Sequence, residues 1–367
     1  MGMKFEEVFS FENLYKASRK CRLNVGWKPS TQRYLNRELI NVSKLHKDLF
    51  SGKYKSLPFG EFDLNERGKV RHIKSCHIKD RVVQKCFCEN CLIPLIMPRL
   101  IYDNGACMKN KGIHFARNRL KCHLQKFYRQ FGNDGYVLKF DLKSYFDSIP
   151  HEKLIEKVAK IIEDEKLIKL YAQLVNDFGN GKGLGLGSQI SQISAIFYLN
   201  DLDHIIKEKM HIKYYGRYMD DGYLIHKDKE HLIECLEKIN KICDELGIRL
   251  NKNKTQIIKL SKGFVFLKSL WQLLPTGKVL VKASKSNIVR ERRKLKKFKP
   301  LLNQKTITLS HIEQSFNSWK SCLLHTQSFK QIANMQKLYI KLFGEYYGNQ
   351  NAIPIYWWIW RRTRRSN

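Results

Sequence analysis

The stretch KYYGRYMDDGYLIH, residues 213–226, decides how this chain folds. Two adjacent carboxylates, Asp220 and Asp221, sit between two apolar runs. Side by side they repel each other, and a buried hairpin gains nothing from them unless they hold something positive. The flanks alternate and Asp221-Gly222 is a turn dipeptide, so the stretch predicts a β-hairpin with the carboxylates at its bend.

A second acidic strand end lies upstream. GYVLKFDLKSYFDSI, residues 135–149, begins as a strand, reaches Asp141 and ends in a turn. An amphipathic helical stretch, residues 153–178, and a glycine-rich loop leading into a long helix, residues 179–206, separate it from the hairpin. Beyond the hairpin come another amphipathic helix at 230–246, a further hairpin in GFVFLKSLWQLLPTGKVLV (263–281), and helices from about 284 onward. Upstream, residues 1–60 read as mostly helical, RGKVRHIKS (67–75) as a strand and IKDRVVQKCFCENCLIPLI (78–96) as a helix. This order predicts an α+β fold, with a small antiparallel sheet backed by helices on one face. If the strand ending in Asp141 lies beside the hairpin, Asp141 meets Asp220 and Asp221. Hard oxygen ligands acting on a phosphate substrate indicate Mg²⁺. Two such ions, about 3.5–4 Å apart, activate a hydroxyl and steady a leaving pyrophosphate.

Charge names the partner class. Lys and Arg number 68 against 34 Asp and Glu, a formal +34. Neutralising phosphates is the commonest use of such an excess. An anionic membrane surface is the rival, but no amphipathic anchor and no run of 18 apolar residues stands out. The N-terminus MGMKFEEVFS lacks a signal-peptide pattern, and the ten cysteines are irregularly spaced, which reads as reduced thiols in a cytoplasm. Cys86, Cys88 and Cys91, with Cys76 and His77 nearby, have zinc-ligand chemistry, but on a helix cysteine serves as a small core residue.

With these motifs in hand, the chain resembles the reverse transcriptases, over about residues 65–345. Tyr218-Met219-Asp220-Asp221 resembles the family's YxDD box, and Phe140-Asp141 through Phe146 its first aspartate motif. HIKDRVVQ (77–84), LGIRLNKNKTQI (246–257) and GFVFLKS (263–269) are similar to three further motifs, in the family's order. The resemblance implies a right-hand polymerase of fingers, palm and thumb. Residues 1–139 would be an N-terminal extension and fingers, 140–270 the palm with an insertion at about 152–182, 271–345 the end of the primer-grip hairpin and a helical thumb, and 346–367 a tail. No RNase H domain is expected after the thumb.

The resemblance also implies roles. Asp141 and Asp220 would be the main ligands of two Mg²⁺ ions (Mn²⁺ being the alternative), with Asp221 in support and the Leu142 carbonyl as a backbone ligand. Phe146 stands where the family places the gate that excludes a 2′-hydroxyl; sheet packing is its plainer reading, and Tyr145 reads as core. Arg71 corresponds to the fingers arginine over the incoming triphosphate. Lys69 either assists it or lies on a solvated strand face. Lys254 corresponds to a lysine that protonates the departing pyrophosphate, or contacts phosphate without proton transfer.

The glycine loop discriminates further. Most relatives carry Gln-Gly-x-x-x-Ser-Pro, whereas this chain has Leu186, Gly187 and then Gln192 in place of the proline. That variant resembles diversity-generating retroelement enzymes, which copy adenine carelessly. Gly187 would let the backbone approach the template–primer pair, with Gln192 beside it. Residues 282–299 carry nine basic residues and one acid, with Ile288, Leu295 and Phe298 on one helical side. Arg292, Arg293, Lys296 and Lys297 would then face a nucleic-acid backbone. The tail IPIYWWIWRRTRRSN either docks on protein or stacks on bases.

The function implied is RNA-directed DNA synthesis from a primer 3′-hydroxyl with dNTPs, on a template that is a cognate noncoding RNA, in a bacterial antiphage-defence or diversity-generating system. Retron and group II intron-type enzymes are the alternatives, and a polymerase-fold RNA-binding protein the non-enzymatic one. The implied partners are template RNA, DNA primer or product, an accessory subunit or a second copy, and no membrane.

Overall fold

The computed structural model describes residues 3–66 and 69–345. The Trp/Arg-rich tail, 346–367, lies outside the described residues. The chain divides into two compact units, Met1–Lys259 and Leu260–Asn367.

In the first unit, β1 (Gly60–Glu66) and β2 (Lys69–Ser75) form an antiparallel hairpin. The remaining strands, β3 (Tyr136–Asp141), β4 (Tyr214–Tyr218), β5 (Asp221–His226) and β6 (Gln256–Lys259), make one antiparallel sheet in the order β4-β5-β3-β6. The strand ending in Asp141 does lie beside the hairpin. Its register puts Asp141 directly opposite Asp221, Phe140 opposite Gly222 and Leu138 opposite Leu224. Directly paired residues share a face, so Asp141 and Asp221 point the same way.

Helices cover both faces of this sheet, and not one as the sequence predicts. Leu138, Phe140 and Leu224 belong to a core that includes Leu232 and Ile239 of the helix Lys229–Glu245. On the other face, Tyr214 meets Phe127 and Tyr223 meets His123, both rings on the helix Ile113–Phe131 and each pair 5.9 Å apart. That helix buries Leu120, His123, Leu124 and Phe127 at helical spacing. Its otherwise basic composition masks the stripe.

The hairpin turn also differs from expectation. β4 and β5 are joined by Met219 and Asp220, with Tyr218 paired to Asp221, so Gly222 lies within β5. The glycine is there because the Phe140 ring stacks over it; a Cβ at Gly222 would stand 2.3 Å from the ring. Met219 takes the positive φ of 54° instead.

Local chemistry sets the helix starts. Asp164 accepts from the N–H groups of Lys166 and Leu167, Asp228 from that of Glu230 and the Ser284 hydroxyl from that of Asn287. Each satisfies N–H groups that have no intrahelical partner. Cys86, Cys88 and Cys91 are buried, and burial pushes the Cys86 thiol up to about 12. Apolar packing explains them, and all ten cysteines are unpaired thiols. No helix among the described residues is long and apolar enough to cross a membrane.

In the second unit, residues 263–281 hold parts of three strands and not a simple hairpin. β7 (Phe264–Phe266), β8 (Ser269–Leu273) and β9 (Val279–Ala283) form a sheet in that order. Three helices follow, Lys285–Asn303, Leu309–Leu323 and Phe329–Phe343. They close over Leu295, Ile312, Phe316 and Tyr339, with the Phe316 and Tyr339 rings stacked at 4.9 Å.

Candidate active site

Asp141 ends β3 and Asp221 begins β5, so antiparallel pairing brings carboxylates that are far apart in sequence onto one face. Asp220 occupies the turn, where its carbonyl accepts from the Leu142 N–H at 3.3 Å. The segment after Gly247 returns along β3's end: Asn251 N–H donates to the Asp141 carbonyl at 2.7 Å and Lys143 N–H to the Arg249 carbonyl at 2.8 Å. This return delivers Lys254, whose ammonium donates to both Asp141 carboxylate oxygens at 2.9 and 2.8 Å.

The electrostatics follow from crowding. Burial, then Asp220 and Asp141, push the Asp221 carboxyl up to about 7. Burial likewise raises that of Asp220, with Asp141 adding to it. Burial works against the Lys254 ammonium, but the neighbouring carboxylates outweigh it and raise its pKa. A site where burial and mutual repulsion make Asp220 and Asp221 resist ionisation, and a lysine already sits against the neighbouring Asp141, is built for positive charge. Among the described residues no three acid, His or Cys groups form a ready metal cage, and the Asp141 oxygens are bonded to Lys254. The donor set, carboxylates and a backbone carbonyl, still fits a hard cation such as Mg²⁺ in its chemistry.

The other predicted residues fall in three places. Tyr145 is fully buried and its hydroxyl donates to the Ala195 carbonyl at 2.5 Å, which fixes it as core. Phe146, next to it, is only half-buried, and its carbonyl accepts from the Leu184 N–H at 2.8 Å. Gly187 has φ +95°, a left-handed value, and the space where its Cβ would be is open among the described residues. Leu186 and Gly187 line a cavity of about 320 Å³ with Lys74, Arg81 and Gln84, and the Ser188 hydroxyl donates to Gln84 Oε1 at 2.8 Å. Gln192 is exposed one turn further on. Arg71 is exposed on β2 opposite Leu64, and Lys69 pairs with Glu66 in the same hairpin. In the second unit Arg292, Arg293, Lys296 and Lys297 are all exposed while Leu295 is buried, which separates charge from core on one helix. The one acid of that stretch, Glu291, is buried and bonded to Lys294 at 2.8 Å.

Two residues escape the sequence reading. Asn251 Nδ2 donates to Asp141 Oδ1 at 3.3 Å. Arg217, one residue before the YMDD box, is wholly buried against Asp203. A charged residue inside an apolar strand was the available signal.

The family model described as reverse transcriptase (RNA-dependent DNA polymerase) matches residues 58–294. Protein YkfC of Escherichia coli is 24% identical, over 62% of this chain and 70% of that protein. A 91 kDa protein in a cob intron of Schizosaccharomyces pombe is 27% identical, over 50% of this chain but 22% of its own length. Among solved structures, telomerase from Candida albicans with a fragment of telomeric RNA aligns with a TM-score of 0.47 at 13% identity, covering 86% of this chain and 64% of that one. The chain has the right-hand polymerase fold and belongs to the reverse transcriptase family, the RNA-dependent DNA polymerases.

Proposed function

We propose that this protein extends a primer 3′-hydroxyl with dNTPs on an RNA template. The observation that carries the reading is Asp141 directly opposite Asp221 at the strand ends, with Asp220 in the turn and Lys254 against them. Asp141, Asp220, Asp221 and the Leu142 carbonyl would hold two Mg²⁺ ions, which when bound activate the attacking hydroxyl and steady the pyrophosphate. Lys254 supplies a proton or a positive contact to that leaving group. Arg71 and Lys69 hold the triphosphate, Phe146 bounds the sugar, and the Gly187 segment with Gln192 supports the nascent pair. The exposed cations of the helix Lys285–Asn303 grip the phosphate backbone.

The finer reading is a cognate noncoding RNA as template, in a defence or diversity-generating setting, with an accessory subunit or second copy as further partners. Leu186 and Gln192 support it, because they replace the commoner glutamine and proline of the motif. An intron-type enzyme is the second reading, favoured by the relative found in a cob intron. Sequencing the nucleic acid that copurifies with the protein separates the two.

The test of the chemistry is Asp220→Asn, which removes charge and keeps shape. Extension on an RNA template should fall by about 10³-fold, equivalent to roughly 4 kcal/mol of transition-state stabilisation, while RNA binding persists. Extension at the wild-type rate overturns the assignment.

A further inference from the structure

We propose that Arg217 and Asp203 are a buried positioning pair that sets the Met219-Asp220 turn, and through it the rate of nucleotide addition. This rests on the reading of Asp220 and Asp221 as reacting carboxylates.

Arg217 lies on the sheet face opposite those carboxylates, paired with Gly222, and both Arg217 and Asp203 side chains are 0% exposed. A guanidinium withdrawn from water is costly unless its N–H groups are bonded, and here every nitrogen donates. Nε reaches Asp203 Oδ1 at 2.7 Å and Nη2 reaches Asp203 Oδ2 at 2.5 Å. Nη2 also donates to the Ile196 carbonyl at 2.9 Å, and Nη1 to the Met219 carbonyl at 2.8 Å. The Tyr215 hydroxyl donates to Asp203 Oδ1 as well, at 2.5 Å.

The Met219 bond is the informative one. Met219 has φ +54°, a conformation uncommon for a residue with a side chain, which persists when its surroundings hold it. Its carbonyl belongs to the peptide that leads into Asp220, so the Arg217 donor fixes how that carboxylate is presented. The same guanidinium is anchored to the helix Gln189–Tyr198 through Ile196, which begins just after Gly187. One side chain thus ties the carboxylate turn to the element that follows the glycine loop. Stability alone does not require a charge here, since well-packed apolar pairs often replace buried ion pairs without loss. An apolar pair has no N–H to give Met219.

The experiment compares wild type, Arg217→Met/Asp203→Leu and Arg217→Lys. It reads thermal midpoint, template–primer Kd, dNTP KM and kcat. The double variant should keep its midpoint within a few degrees and its Kd within about threefold, while kcat falls by about 10²-fold, the scale of a 1 Å misplacement. Arg217→Lys, which retains one donor, should recover part of that loss. A folded double variant with wild-type kcat overturns the proposal. Should the double variant not fold, Arg217→Lys decides: wild-type kcat in it overturns the proposal, and at least tenfold loss with unchanged Kd supports it. Absence of extension by wild type would instead sink the polymerase reading itself.

Discussion

The Phe140 ring occupies the space where Gly222 would carry a Cβ, with ring atoms at 2.3 and 2.4 Å from that position. The two residues are directly paired across β3 and β5, at the step beside Asp141 and Asp221. Gly222→Ala should therefore force the ring and both strands apart. Overpacking of this kind costs about 1–3 kcal/mol, and denaturant titration should show it. Phe140→Leu in the same chain should recover part of the loss. An unchanged midpoint for Gly222→Ala alone would mean the strands yield freely.

Phe146 is half-buried beside the fully buried Tyr145. Phe146→Ala should raise rNTP incorporation relative to dNTP incorporation, measured as the ratio of kcat/KM values. A shift of about tenfold is equivalent to 1.4 kcal/mol of differential transition-state binding. A constant ratio assigns Phe146 to packing alone.

Arg292, Arg293, Lys296 and Lys297 point to solvent from the helix Lys285–Asn303. Replacing all four by Gln should weaken duplex binding and reduce the slope of log K against log salt by up to about 3.6, since each duplex phosphate contact contributes roughly 0.9. Equal slopes for variant and wild type would remove this helix from the nucleic-acid interface.

Leu186 cannot offer the hydrogen bond that a glutamine there would give. Leu186→Gln should lower misincorporation, most visibly opposite template adenine, with activity retained. Deep sequencing of cDNA from a defined RNA template is the measurement. Wild-type copying of adenine as faithful as that of the other bases removes support for a diversity-generating role.

His123 gives a pH dependence with a definite sign. Burial, together with the cations Lys207, Arg119 and Lys126, lowers its pKa to about 4, although Asp103 opposes them. Arg119 can only donate to Nε2, at 3.2 Å, so the neutral ring carries its proton on Nδ1, facing the Tyr223 hydroxyl at 3.0 Å. The unfolded chain protonates near 6.5 and the folded one near 4, so the unfolded state holds more protons between those values. Stability is thus complete above the higher value and is lost as pH falls towards the lower one. From pH 7 to 5 the contribution is about 2 kcal/mol. Denaturation of His123→Gln should show a shallower fall over that range than wild type; parallel curves would contradict the buried neutral ring.

Much of the fold was legible in residues whose chemistry is local. The adjacent carboxylates at 220 and 221, the strand into Asp141 and the 3.6-residue spacing of Ile288, Leu295 and Phe298 each announce themselves without reference to distant parts of the chain. What failed was set by distant partners. Asp221-Gly222 has turn composition, yet the turn is Met219-Asp220, because Gly222 is required by a ring on another strand. The Leu267-Lys268 turn between β7 and β8 holds two left-handed residues, φ 47° and 64°, without the glycine or asparagine that would signal it. Arg217 resembles an exposed strand cation until Asp203 is placed behind it.

β4 is the outer strand of its sheet, and the backbone of Arg217 does not face outward unpaired. Its N–H donates to the Asp103 carbonyl at 3.2 Å and its carbonyl accepts from the Gly105 N–H at 2.9 Å. An outer strand with open rungs invites strand addition by another chain. At the rung nearest the carboxylate turn that invitation is already taken by this chain's own loop. Self-association by adding a strand is blocked at that rung, and the same loop lends β4 a neighbour that a lone edge lacks.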